Sequence, residues 1–252
     1  MIIAKHQGLK TMTADISNAF CTAKNVQPDV WVECGPEFGD REGQKATLNR
    51  ALYGMASSSR AFHDYCGDVL MEMGFRPSRA DQDLWIRRSD DHDAYDYIAT
   101  WVDDIICVAK KPEKYMSIIS QQFALRNEEI NPDKYLGSDM RTLANGMVHV
   151  CLKTYITEAI RKYEAKYSCL AKQSVPMKEG YHPKLEEGPP LNEEDQKQYQ
   201  YMMGVLQWIC TMGHIDIVYA TSSMSRFSNQ PRQSHLDNTS LVTSKDSSHE
   251  EL

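Results

Sequence analysis

The sequence predicts an α+β fold built around an antiparallel sheet. Two observations predict it: stretches of helical period alternate with short runs rich in β-branched and aromatic residues, and those runs come in pairs joined by turn-forming residues. A third narrows the class, because there is no internal repeat, no glycine-rich phosphate loop and no coiled-coil heptad. With 252 residues, 41% of them hydrophobic, the chain can bury one sizeable core, or a core plus a smaller subdomain.

Leu9 to Ile16 reads as a strand, which sets Asp15 at a strand end, and Ser17-Asn18 is placed to cap a short helix through Cys21 and Ala23. Val30 to Cys34 is a short strand ahead of the turn-rich Gly35-Pro36-Glu37-Phe38-Gly39, and Lys45 to Leu52 another. A long amphipathic helix follows: Ala61, Tyr65, Val69 and Met73 recur every four residues, Ser57 or Ser58 can cap it and Gly74 can stop it. Asp83 to Arg88 and Tyr95 to Thr100 are strands around the polar turn Ser89 to Asp93, and Ile105 to Ala109 is a third strand. Pro112 suits the first turn of a helix running to Gln122. Tyr135 to Thr142 and Met147 to Lys153 flank Asn145-Gly146, the strongest hairpin signal in the chain. Thr154 to Tyr167 is a helix, Pro176 to Glu194 a charged, proline-containing connector, and Tyr199 to Met212 and Ile215 to Phe227 are further helices. The stretch 236–252 is polar, serine-rich and without periodicity, the composition of a disordered tail.

No run approaches the roughly 20 apolar residues that cross a bilayer, and the expectation is an intracellular, cytoplasmic protein with no membrane partner. The seven cysteines are odd in number, scattered and free of the two-residue spacing of zinc or redox sites, which fits a reducing compartment. A net charge of −7 argues against indiscriminate binding of nucleic acid. One stretch departs from it: from Cys151 to Lys178, six cations (Lys153, Arg161, Lys162, Lys166, Lys172, Lys178) stand against Glu158 and Glu164, so six minus two leaves +4. A solvated helix face and a nucleic-acid surface explain that excess equally well on charge alone.

Asp103 and Asp104 are adjacent carboxylates between two apolar runs, and like charges held side by side repel unless cations share them. That is the requirement of phosphoryl transfer by two divalent ions roughly 3.5–4 Å apart, for which oxygen ligands suit magnesium. The dipeptide alone is weak evidence, since Asp90-Asp91 has the composition of an exposed turn, but Asp15 at the end of another apolar segment offers a third carboxylate. A phosphatase or nuclease has only the carboxylates in its favour, because His6, His63, His92, His149 and His182 form no metal-binding spacing.

Several segments, in order, resemble copia-type retrotransposon reverse transcriptases. Thr13-Ala14-Asp15-Ile16-Ser17-Asn18-Ala19-Phe20 looks like their first catalytic motif, Ala51-Leu52-Tyr53-Gly54-Met55 with Arg60-Ala61-Phe62 their second, and Trp101-Val102-Asp103-Asp104 their aspartate-pair turn. Gly74-Phe75, Tyr135-Leu136-Gly137, Val175-Pro176-Met177 and Ser225-Arg226-Phe227 keep the family's order from about Leu9 to His235.

The resemblance implies a ferredoxin-like palm with partial fingers over 1–134, a primer-grip hairpin and thumb-like helix over 135–178, and a linker with connection helices over 179–235. It implies two Mg2+ or Mn2+ ions held by Asp15, Asp103 and Asp104, with Asp15 and Asp103 bridging both and Asp104 supporting them. By the same carry-over Ile16, Phe20, Gly54, Trp101 and Val102 line the substrate, Phe20 excluding a 2′ hydroxyl by its bulk. Tyr135, Leu136 and Gly137 steady the primer, and Lys153, Arg161, Lys162 and Lys166 follow the duplex. The implied partners are an RNA or DNA template with its primer, a deoxynucleoside triphosphate and the rest of a Pol polyprotein, in a virus-like particle of the parent element.

Two departures touch that site: Trp101 stands where the family has tyrosine, and Met55-Ala56-Ser57-Ser58-Ser59 lacks the usual lysine. Family members carry more fingers ahead of the first motif and a ribonuclease H domain afterwards. The expectation is therefore a fragment, inactive or weakly active alone, and the alternative a decayed, non-catalytic remnant with at most nucleic-acid binding.

Overall fold

The structure is a computed structural model describing residues 2–24, 30–143, 148–166, 175–177, 179–185 and 188–246. The chain divides into two compact units, one of residues 1–133 with 142–148 and the other of 134–141 with 149–252.

The first unit opens with a short helix, α1 (Ile2–His6), and the strand β1 (Lys10–Ile16). After α2 (Ala19–Thr22), β2 (Trp31–Glu33) and β3 (Lys45–Thr47) pair as a small antiparallel hairpin around a 3-10 turn. The long helix α3 (Ser58–Glu72) buries Ala61, Phe62, Cys66, Val69 and Leu70, the face its four-residue period predicts. It ends before Gly74, whose φ of 88° is the left-handed conformation that stops a helix at low cost in glycine.

The strands β4 (Arg76–Pro77), β5 (Leu84–Arg88), β6 (Tyr95–Trp101) and β7 (Asp104–Ala109) follow, then α4 (Pro112–Ile119) and β8 (Leu125–Ile130). They form a six-stranded antiparallel sheet in the order β4-β5-β6-β7-β1-β8. The adjacent inner strands β7 and β1 are the most buried. Ile16, Ile105 and Cys107 on them are wholly buried, together with Phe75, Ile98, Met116 and Ile119. Each such side chain contributes roughly 1.5–3 kcal/mol on leaving water, and together they fix the register of the strands that carry the aspartates.

In the second unit, β9 (Lys134–Tyr135), β10 (Ser138–Thr142) and β11 (Val148–Cys151) form a three-stranded sheet, followed by α5 (Lys153–Glu164). Helices α6 (Glu193–Thr211), α7 (Val218–Ser225) and α8 (Gln233–Asp246) complete it. Its core gathers Leu152 and Ile156 with Tyr199, Leu206, Ile209, Ile217, Met224 and Leu236. No helix among the described residues is long and apolar enough to cross a membrane.

Five expectations change. The strand expected through Leu52 stops at Thr47, and Arg50 makes only an isolated bridge to Lys24. Tyr135 to Thr142 is two strands, because Leu136 and Gly137 both take positive φ and turn the chain back on itself. Ile215 to Phe227 begins as a 3-10 turn over Ile215–Ile217 and becomes α7 only afterwards. Leu236 to Asp246 belongs to α8, where buried Leu236 and Thr239 supply the packing that the serine-rich composition hides. Asn18 sits before α2 at φ 51° with no side-chain capping bond. Three elements were not foreseen: α1, β4 and β8. Asn145-Gly146, Tyr167, Lys172, Lys178 and 247–252 lie outside the described residues.

Candidate functional site

The antiparallel register of β1 against β7 places Asp15 opposite Asp104, two strand ends brought together from distant parts of the sequence. Ala14 and Ile105, the next pair inward, are buried, so the carboxylates emerge where the apolar sheet stops. The β6–β7 hairpin closes with Trp101 paired to Asp104, leaving Val102 and Asp103 as the turn. The Ile16 N–H donates to the Asp103 carbonyl at 2.7 Å, tying the turn to the end of β1. Val102 takes a φ of 55°, a strained conformation for a β-branched residue, and is 47% exposed.

Electrostatics follow from that placement. Burial first, and then the hydrogen bond and charge of Asp15, push the Asp104 carboxyl up to about 6. Asp103 adds only through-space repulsion, and the Arg126 guanidinium works the other way. Asp15 is also held from β8: the Asn127 side-chain amide donates to its Oδ2 at 2.6 Å, and Arg126 Nε lies 3.6 Å from the same oxygen. Asn127 reaches it from a left-handed position, φ 51°, beside an irregularity in the β1–β8 pairing.

Asp104 is therefore the carboxylate directly across the ladder from Asp15. The reason is the turn: Asp104 is the first residue of β7 and faces Asp15 across the ladder, while Asp103 is one residue outside it. Among the described residues no three His, Cys, Asp or Glu side chains are gathered as metal ligands.

Other expected residues divide. The Ile16 side chain is wholly buried and its N–H is taken by Asp103, so neither is free for a substrate. Phe20 lies against Tyr53, ring centres 4.7 Å apart, and near Phe62 at 6.2 Å. Gly54 has φ 92° with open space where a Cβ would stand, so its glycine answers a backbone demand. Trp101 is 48% exposed. Tyr135, Leu136 and Gly137 form the β9–β10 turn of the second unit. On α5 Ile156, Ala159 and Tyr163 are buried, and Lys153, Arg161 and Lys162 are exposed; Lys166, just beyond it, is exposed and pairs with Glu194 at 2.9 Å. Arg126 and Asn127 were missed, because a polar edge strand carries no apolar period and gave no signal.

Comparison with known proteins identifies the family. A family model described as reverse transcriptase (RNA-dependent DNA polymerase) matches residues 1–178. This chain belongs to the reverse transcriptase family. Its relatives are transposon proteins of the copia type. It is 25% identical over 237 residues to the transposon Ty5-1 protein YCL074W of Saccharomyces cerevisiae, covering 90% of this chain and 73% of that protein. It is 26% identical over 227 residues to the retrovirus-related Pol polyprotein from transposon RE1 of Arabidopsis thaliana, and 23% identical over 226 to that from RE2. Those two alignments cover 88% of this reverse transcriptase chain but only 15% of each polyprotein. The mixed helical and antiparallel architecture agrees with a reverse transcriptase domain.

Proposed function

We propose that Asp15, Asp103 and Asp104 form the polymerase centre of a copia-type reverse transcriptase, which extends a primer on an RNA or DNA template. The observation that carries this reading is the register that seats Asp15 opposite Asp104 at the ends of two buried strands. The strand order β8-β1-β7-β6, with α3 between β1 and the β5–β6 pair and α4 between β7 and β8, supports a ferredoxin-like palm. Residues 1–134 would be that palm with partial fingers, 135–178 primer grip and thumb, and 179–235 linker and connection.

Oxygen donors crowded under mutual repulsion suit hard divalent cations, and Asp15, Asp103 and Asp104 would hold two Mg2+ or Mn2+ ions. Bound there, such ions activate the attacking hydroxyl and neutralise the leaving pyrophosphate. The reaction is attack of a primer 3′ hydroxyl on the α-phosphate of a deoxynucleoside triphosphate. The protein's own part is to free the donors: Asp104 must be ionised, its proton going to solvent, and Arg126 and Asn127 must yield Asp15 Oδ2. Trp101 and Val102, exposed at the turn, would flank the primer end, and Phe20 against Tyr53 would crowd the sugar's 2′ position.

The same engagement of Asp15 favours a second reading, a remnant closed against metal. Thermal melts with Mg2+ or Mn2+ separate the two: the polymerase reading expects a higher Tm with metal and loss of that rise in Asp103→Asn. No rise in the unsubstituted protein would remove the metal site. Primer extension on an RNA template is expected to be weak and abolished by Asp15→Asn; extension that survives Asp15→Asn would place the chemistry elsewhere.

A further inference from the structure

The second unit holds a cleft of about 330 Å³ whose charged lining is one-signed. Lys184, Arg226 and Arg232 line it, with the side-chain amides Asn229 and Gln230, and no carboxylate among the described lining residues. None of the three cationic ends makes an ion pair or side-chain hydrogen bond with the described residues. In a chain of net charge −7, these three cations gather positive charge around one hollow whose described lining holds no carboxylate to offset it.

The hollow is also rigidly built. His235 is 1% exposed; its Nδ1 accepts from the Arg232 N–H at 3.1 Å, so its Nε2 carries the proton and donates to the Pro183 carbonyl at 3.0 Å. One neutral imidazole thus joins the backbone beside Lys184 to that of Arg232, two segments far apart in the chain. Phe227 stacks on it with ring centres 4.4 Å apart, and Thr239 Oγ donates to its carbonyl at 2.9 Å. Arg226 and Arg232 therefore project from a fixed frame, the condition under which guanidinium forks recognise a tetrahedral anion in bidentate fashion.

We propose that this cleft is a phosphate-binding site, taking a phosphate group either free or as the phosphodiester of a nucleic-acid backbone. It uses none of the residues of the aspartate centre and stands or falls separately from it. Amide donors beside the cations suit the same oxygens, and the volume, at the small end of ligand pockets, has room for a phosphate together with part of whatever carries it.

The full chain is titrated with inorganic phosphate by calorimetry, and with a fluorescein-labelled single-stranded oligonucleotide by anisotropy across a salt series. Arg226→Gln with Arg232→Gln should abolish the phosphate heat. It should weaken the oligonucleotide about tenfold near physiological salt and flatten the log K against log salt slope by about 1.4, two contacts at roughly 0.7 each. Arg161→Gln with Lys162→Gln, on α5, should leave the phosphate heat intact. Loss of the phosphate heat with unchanged oligonucleotide binding identifies free phosphate as the source; loss of both identifies the phosphodiester. Unchanged binding of both probes by the folded double variant, or no phosphate heat in the unsubstituted protein together with an unchanged oligonucleotide slope, overturns the proposal. Should the double variant melt early, Lys184→Gln, an exposed change, is read by the same criteria.

Discussion

Replacing Asp104 by Asn tests the electrostatics of the aspartate pair without touching its packing. Moving the Asp104 carboxyl from the ordinary carboxylate value up to about 6 corresponds to about 3 kcal/mol between its two protonation states. The group is half-exposed, and solvent screening leaves about 1 kcal/mol of that as folding stability. The sign is fixed by the direction. A carboxyl raised in the folded state contributes its full stability below about pH 4, and that contribution is lost as pH rises through about 6. Asn is neutral at every pH and can donate to Asp15 as the protonated acid does. The variant should therefore match the parent near pH 4 and exceed it at pH 8 by about 1 kcal/mol, or about 2 °C in Tm. Scanning calorimetry at both pH values, at low salt with EDTA, reads the difference. A variant no more stable than its parent at pH 8 would refute the argument that burial, and then the neighbouring Asp15, disfavour the ionised Asp104 carboxyl in the folded protein.

Three further perturbations probe the surroundings. Arg126→Gln removes a cation 3.6 Å from Asp15 Oδ2, and Mn2+ affinity measured by calorimetry should rise about two- to fivefold, the range of a partly exposed charge pair; an unchanged affinity would show that Arg126 does not compete for that oxygen. Val102→Gly relieves a β-branched residue at φ 55° and should stabilise by about 1 kcal/mol, raising Tm by about 2 °C; a lower Tm would mean that the turn is not strained. Asp96→Ala should cost about 3–5 kcal/mol in denaturant melts, since Asp96 is 1% exposed and accepts from Tyr115 Oη at 2.6 Å with His92 Nε2 at 3.1 Å.

How far the sequence disclosed the fold depended on apolar period. The period of four in α3 predicted the face that is buried, and the apolar run of β7 predicted a central strand. Where burial left no such mark, the sequence was silent. Strand β8, Leu125–Ile130, is mostly exposed at a sheet edge, and its glutamates and Asn127 gave no strand signal. Helix α8 hides its buried Leu236 and Thr239 among polar neighbours, and its composition suggested disorder. The turn at Leu136-Gly137 carried a glycine, but an apolar residue at φ 50° ahead of it disguised a hairpin as one strand.

The candidate site was legible in kind, and its register was not. Carboxylates at strand ends flanked by apolar residues could be picked out because the flanks fix the strands. Which two carboxyls meet is decided by one residue of register, and that depends on where β7 begins after the Val102-Asp103 turn. The ladder from Lys10↔Ala109 to Asp15↔Asp104 is continuous, so shifting the turn by one position would carry Asp103 to the place of Asp104 only by reversing the faces of buried Ile105 and Cys107. The apolar core of the sheet thus selects Asp104 as the neighbour of Asp15.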